Sequence, residues 1–346
     1  MSAGAKVYSE RLGAISDVQL EAVAERWGLG RLVGAEPTTS GLFGQNLFLT
    51  TSEGAFVLRG APHWVKRIGE AAWRREDRWQ FTKERWFAQQ LHERTQTPVP
   101  WQMLHDQSDD IFGWPYLVMP RMPGHCFGER EILTALSAED RHGVAVALGA
   151  ALAEMQTLTS PFAGDFDVDT IVLTPFADGA VSHLVAQARG HAAEAMARGA
   201  LTADDLGWIE DAGQRAQEAG ARPNTYLHCD YKLNNLTVGK TEAGWRVTGL
   251  FDFHEAQLGD GALDIVRQAC SYLDTEPALA RVFVAAYLER VPADPRLKEL
   301  MPFYAISDRL KFWGFFTVPG NEAAWTKGKT FRRWASRYVD VVLKLL

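Results

Sequence analysis

The sequence predicts a two-lobed α+β protein: a first third of mostly antiparallel strands with one main helix, then a larger, mostly helical portion. Three observations lead to it. Residues 45–50 (QNLFLT) and 55–60 (AFVLRG) are short β-rich runs around the polar turn Thr51-Ser52-Glu53-Gly54, a hairpin pattern. From Ser137 onward apolar residues recur at helical spacing, as in 138–157, where Val144, Leu148, Ala151, Leu152 and Met155 share a face. One further hairpin interrupts those helices, with arms 235–238 and 245–252 around the polar GKTEAG.

Taken in order, the first element is a helix over 17–27, with Ser16 as N-cap and Gln19 closing a capping box. Ile15 and Leu20 form its staple, Gly28 follows its end, and Leu20, Val23 and Trp27 form its buried stripe. A glycine-containing turn, TSGLFG, precedes the first hairpin. A helix over about 74–94 carries Phe81, Trp86, Phe87 and Leu91, and Pro98 and Pro100 stop it. Segments 101–105 and 115–120 read as strands around QSDDIFG. Helices are expected at 180–198, 203–219, 262–272 and 277–290. The lobes divide as 1–122, including the N-terminal helix with its caps at 16–28, and 123–346. No internal repeat or low-complexity tract is present.

At 346 residues, 47% apolar and 23% charged, the chain has the balance of an ordinary globular protein with a large core. No apolar run reaches a membrane span, and the first residues lack the apolar core of a secretory signal. A cytoplasmic protein that does not meet the membrane is therefore expected. Cys126, Cys229 and Cys270 are odd in number and without CxxC spacing, which suggests neither disulfides nor a zinc site. A net charge of −7 argues against nucleic acid as partner. It is compatible with a cationic substrate without demanding one.

The informative segment is Leu227-His228-Cys229-Asp230-Tyr231-Lys232-Leu233-Asn234-Asn235-Leu236, followed by Leu250-Phe251-Asp252-Phe253. It has the form HxDxKxxN, then DF. Phosphoryl transfer needs a carboxylate beside the attacking hydroxyl and oxygen ligands holding Mg²⁺ across nucleotide phosphates. Asp230 and Asn235 can face a common site from one loop, and Asp252, at the end of the returning strand, can complete it.

This loop resembles the catalytic loop of the aminoglycoside phosphotransferase and protein kinase superfamily. The resemblance implies a protein-kinase-like fold, with Asp230 as catalytic base or hydroxyl-orienting group, His228 bracing the loop, and Asn235 and Asp252 as Mg²⁺ ligands. Lys232 stands where protein kinases place a lysine that contacts the transferred phosphate, a position at which many antibiotic kinases lack one. Cys229 departs from the usual glycine or arginine, and its thiol would expose the site to oxidation.

The N-terminal third offers the other expected parts. Thr39-Ser40-Gly41-Leu42-Phe43-Gly44-Gln45-Asn46 looks like an abbreviated phosphate loop, in which Ser40, Gly41, Gly44 and Asn46 would contact the nucleotide. Arg59 occupies the strand position of the kinase lysine, and Glu84 is its expected helix partner, with Glu76 a rival; the plainer alternative is two surface charges. Pro115-Tyr116-Leu117-Val118-Met119-Pro120-Arg121-Met122-Pro123-Gly124 resembles the segment joining the lobes. Met119, Arg121 and Met122 are the base-contact candidates, and since Pro120 has no N–H the backbone donor falls to Arg121 or Met122.

After Asp252 there is no room for a protein kinase's activation segment, and His254 replaces its glycine. Gly259-Asp260 and Asp264 instead resemble the small-molecule branch, in which these aspartates anchor the loop and the helix behind it; each could alternatively serve as a helix N-terminal acid. The expected activity is transfer of the γ-phosphate of ATP, or GTP, with Mg²⁺, to a hydroxyl of an aminoglycoside, a macrolide or a metabolite. A protein kinase and a catalytically silent nucleotide binder are the rivals. Phe303-Tyr304, Phe312-Trp313 and Phe315-Phe316, with Asp308 and Glu322, belong to the lobe facing the base, either as acceptor-site wall or as core.

Overall fold

In the computed structural model, which describes residues 5–9, 12–38, 45–60, 70–127 and 133–345, alternation along three strands builds the first lobe's sheet. Strands β1 (Lys6–Ser9) and β2 (Gly13–Ile15) form a small hairpin, followed by helix α1 (Asp17–Arg26) with the expected Ser16–Gln19 capping box. Trp27 ends that helix half-buried, its Nε1–H donating to the Tyr116 hydroxyl at 3.2 Å, so it contributes a polar contact to the stripe. Strands β3 (Leu32–Pro37), β4 (Gln45–Thr51) and β5 (Gly54–Gly60) precede helix α2 (Glu70–Arg94); β6 (Leu104–Asp106) and β7 (Tyr116–Pro120) follow. The antiparallel order is β3-β4-β5-β7-β6.

Successive residues on a strand face opposite sides of a sheet. Leu47, Leu49, Leu58, Tyr116 and Val118 therefore pack with Leu20 and Val23 of α1 on one side. Leu117 and Met119 join Phe81 and Phe87 of α2 in the main core on the other. Arg59, paired with Asn46 and Leu117 across the sheet, lies one residue from Leu58 and so faces the α2 side.

The second lobe contains α3 (Ala138–Met155), α4 (Gly179–Ala197), α5 (Ala203–Ala219), α6 (Ala262–Thr275), α7 (Pro277–Leu288), α8 (Arg296–Phe316) and α9 (Phe331–Val342). Short strands β8 (Thr159–Ser160), β9 (Gly164–Phe166), β10 (Leu173–Pro175), β11 (Asn224–Leu227) and β14 (Gln257–Asp260) form a sheet in the order β10-β9-β14-β11-β8. The sequence suggested only one hairpin here. Two to four residues are too few to show a period of two, so this sheet left no pattern to read.

The expected hairpin is β12 (Leu236–Thr241) with β13 (Gly244–Leu250). Its loop is shorter than expected: Thr241 pairs with Gly244, so only Glu242 and Ala243 form the tip. Asn235 lies in a 3-10 turn just before β12, and Asp252 lies beyond β13 rather than within it.

The segment after β7 docks on this hairpin. Thr248 Oγ1–H donates to the Pro123 carbonyl at 2.5 Å, and His125 and Val238 exchange backbone hydrogen bonds of 2.8 and 2.9 Å. Gly124, at φ +100°, allows this approach, because a Cβ there would stand 2.5 Å from the Val238 oxygen. Gly249 does the same for Met122, whose Cβ lies 2.5 Å from where a Gly249 Cβ would be.

Candidate active site

The loop between β11 and β12 is fixed from behind by α6. Asp264 accepts the backbone N–H of His228 at 2.9 Å and of Cys229 at 2.8 Å. Burial pushes the Asp264 carboxyl up to about 7, against the pull of those two donors. Asp260 serves the helix end and more: it accepts from the Ala262 N–H at 2.9 Å, the Tyr304 hydroxyl at 2.8 Å and Arg222 at 2.6 Å. Of the two readings of this pair, anchoring describes Asp264, whereas Asp260 combines a helix-terminal bond with an ion pair.

His228 is fully buried, and its Nε2–H donates to the Phe251 carbonyl at 2.9 Å while Nδ1 accepts the Asp230 N–H at 3.3 Å. This network assigns the proton to Nε2 and ties the loop to the strand leading to Asp252. Burial lowers the imidazole's pKa, so it stays neutral. Cys229 takes φ +61°, a conformation glycine adopts freely. Burial and then Asp264 raise its thiol pKa well above the ordinary value, which argues against the expected sensitivity to oxidation, because the thiolate is the reactive form.

Asp230 has donors on both oxygens. Asn235 Nδ2 donates to Oδ2 and to the Asp230 carbonyl, both at 2.9 Å, and Lys232 Nζ is 2.7 Å from Oδ2. Arg267, from α6, donates to Oδ1 through Nε at 2.8 Å and Nη2 at 2.6 Å. Burial alone would raise this carboxyl; Arg267 and Lys232 outweigh it, and the pKa lies below the usual value. Sequence reasoning missed Arg267. Its signal was the three-residue step from Asp264, which places both on one face of a helix.

Across from this loop, Arg59 Nη2 lies 3.0 Å from Glu84 and 2.7 Å from Asp252. The Arg59–Glu84 pair is therefore present and buried, not a pair of surface charges; the Glu76 side chain is outside the described ones. Asp252 takes φ +74° and also accepts from His254 Nδ1 at 2.9 Å. Burial would raise the Asp252 carboxyl, but Arg59 and His254 pull it well below the usual range, and Asp252 in turn raises His254 to about 10. Glu255, on the same turn, pairs with Lys311 of α8 at 2.6 Å.

Several polar atoms here fit a bound anion with its cation. Arg59 Nε, Glu84 Oε2 and Asn46 Oδ1 are buried with no hydrogen-bond partner among the described residues. Glu84 and Asp252 bring carboxylate oxygens within 4.8 Å of each other, beside His254, whose proton held toward Asp252 keeps it from serving as a ligand. Asn235 spends its Nδ2 on Asp230, which leaves Oδ1 for a cation. Ser40, Gly41 and Gly44 lie outside the described residues.

At the segment joining the lobes, Met119 is buried opposite Val57, and Met122 lies on Gly249. The Arg121 N–H is donated to the Ala55 carbonyl at 2.9 Å and its side chain to Glu36, which removes Arg121 as backbone donor to a base and leaves Met122. Of the C-terminal aromatics, Phe303, Tyr304 and Trp313 are core, while Phe312 stacks under the Arg267 guanidinium at 4.4 Å. Asp308 is engaged by Arg309 and lies 3.7 Å from Arg267. Glu322 accepts from the Gly320 N–H at 2.8 Å.

Among solved structures, the chain resembles a thermostable mutant of aminoglycoside phosphotransferase APH(4)-Ia in ternary complex with ADP and hygromycin B. Identity is 16% over 94% of this chain and 98% of that one, with a TM-score of 0.60. The GDP complex of aminoglycoside 2'-phosphotransferase-IIIa matches at 12% identity over 97% and 98%, with a TM-score of 0.60. Macrolide 2'-phosphotransferase MphH from Brachybacterium faecium matches at 17% over 93% and 97%, with a TM-score of 0.54. These likenesses establish the two-lobed, protein-kinase-like fold. A search of curated proteins finds no match. The family model described as the phosphotransferase enzyme family covers residues 35–300, from β3 through the catalytic-type loop to α8, and the chain belongs to that family of enzymes.

Proposed function

We propose that this phosphotransferase moves the γ-phosphate of a nucleoside triphosphate, ATP or GTP, to a hydroxyl of a small molecule. The observation that carries the reading is Asp230: an ionised carboxylate on a loop whose Asn235 hydrogen-bonds it and whose following hairpin delivers Asp252 to Arg59. Asp230 would accept the hydrogen bond of the incoming hydroxyl and take its proton as the new P–O bond forms and the bond to the leaving nucleoside diphosphate breaks. His228 braces the loop, and Lys232 lies beside the oxygen at which the hydroxyl arrives. Asn235 and Asp252 would hold Mg²⁺, which supplies charge neutralisation across the phosphates.

Arg59, positioned by Glu84, and Asn46 would meet the phosphates, with Ser40, Gly41 and Gly44 as loop candidates. The base would lie at the junction of the lobes near residue 122, against Met119 and Met122. A small acceptor is favoured over a peptide because the chain passes from Asp252 through the turn Phe253–Glu255 and β14 straight into α6.

Relatives solved with hygromycin B, and with gentamicin, and the macrolide enzyme make those antibiotic classes the first acceptors to try. The test is Mg²⁺-dependent ATP and GTP consumption across aminoglycosides, macrolides and hydroxylated metabolites, with Asp230→Asn as control. Acceptor-dependent turnover lost in the variant supports the reading. Nucleotide binding without turnover on any acceptor would favour a silent binder, and no binding at all would overturn it.

A further inference from the structure

The Asp230 carboxylate is saturated. A carboxylate offers about four lone-pair sites, and four donors meet this one: Arg267 Nε and Nη2 on Oδ1, Asn235 Nδ2 and Lys232 Nζ on Oδ2. An acceptor hydroxyl can bind only by displacing one of them.

The three side chains are held unequally. Asn235 Nδ2 also binds the Asp230 carbonyl, which fixes its amide. Arg267 is buried, its guanidinium stacked on Phe312 at 4.4 Å and its Nη1 3.7 Å from Asp308, both residues on α8. The Lys232 side chain is 25% exposed against 10% for Arg267. It ends in a rotatable ammonium on a flexible stem. Lys232 is therefore the donor that yields.

Arg267 also stands one turn beyond Asp264, on the same face of α6. Asp264 holds the loop's backbone at His228 and Cys229, and Arg267 holds the Asp230 side chain. One helix thus sets both the position of the loop and the rotation of its carboxylate.

We propose that Arg267 is a positioning residue for the transfer: its two-pronged grip on Oδ1 orients Asp230 so that Oδ2 receives the acceptor hydroxyl as Lys232 moves away. A lysine at 267 would keep the charge but lose the planar fork, and with it control of the carboxylate's rotation. The proposal rests on the phosphotransfer reading above.

The test uses the full chain and needs no known acceptor. Binding of Mg²⁺·ADP is measured by calorimetry with and without aluminium fluoride, which mimics the phosphoryl group in transfer with water as the attacking oxygen. Wild type, Arg267→Met and Arg267→Lys are compared. Expected is an Mg²⁺·ADP affinity unchanged within about twofold in both variants. The extra affinity conferred by fluoride should fall by about tenfold or more in Arg267→Met, and be recovered only in part by Arg267→Lys.

An undiminished fluoride gain in Arg267→Met, or a lysine variant equal to wild type, would overturn the proposal. So would an equal loss of plain Mg²⁺·ADP affinity, which assigns Arg267 a merely structural part. If Arg267→Met does not fold, Arg267→Lys decides by the same comparison. A wild type that binds no Mg²⁺·ADP, or gains nothing from fluoride, overturns the phosphotransfer reading and this proposal with it, and is told apart because the unmutated protein shows it.

Discussion

Arg59 on β5 reaches Asp252, 193 residues later in the chain, at 2.7 Å, while its other neighbour, Glu84 of α2, stands 3.0 Å away. One guanidinium thus balances two acids from different elements. Arg59→Met should leave buried Glu84 without its cation and Asp252 with His254 alone, and breaking a buried pair this way costs about 3–5 kcal/mol. Thermal and denaturant unfolding should show the loss, with weaker nucleotide binding; an unaltered midpoint would mean the pairing contributes nothing.

Asn235 and Asp252 are the proposed cation ligands, so Asn235→Ala and Asp252→Ala should each weaken Mg²⁺-dependent nucleotide binding by about tenfold or more, the scale of losing one charge-assisted contact. Binding titrations at varied Mg²⁺ decide it. If both variants keep the wild-type dependence on metal, the assignment is wrong.

Asp264 accepts two N–H groups from the catalytic-type loop. In Asp264→Asn the amide nitrogen cannot accept, so one donor of His228 or Cys229 is stranded, at about 1–3 kcal/mol. Turnover should fall more than nucleotide affinity, because the loop carries Asp230 and not the phosphate contacts proposed for the first lobe. Equal turnover in the variant would show that the anchor is dispensable.

His105 on β6 packs edge-on against Phe81 at 5.2 Å, with Nε2 buried and without a hydrogen-bond partner among the described residues. Burial, then Arg85, lowers its pKa from 6.5 to about 4. Between those values the unfolded chain binds the proton and the folded one does not, so stability is full above pH 6.5 and falls as pH drops toward 4. The loss is at most about 3 kcal/mol. His105→Phe should flatten this limb of the stability–pH curve while preserving the ring contact, and a limb as steep as wild type would refute the assignment.

The sequence alone determined the class of fold and named the residues of the candidate site. His228, Asp230, Lys232, Asn235 and Asp252 were legible because a short loop and a hairpin bring them together, and local spacing carries that information. Arg59 and Glu84 could be named from the strand and the helix, but their meeting with Asp252 is a long-range fact of packing.

What only the tertiary structure decided has the same cause throughout. The β8–β11 and β14 sheet is built of strands too short to show a period. The Arg121 N–H is removed as a donor by Ala55, 66 residues earlier in the chain. Arg267 finds Asp230 because α6 packs behind the loop, and Phe312 finds Arg267 because α8 packs beside α6. Such contacts depend on which faces the helices bury, and that choice is made by the whole core and leaves no mark on the residues nearby in sequence.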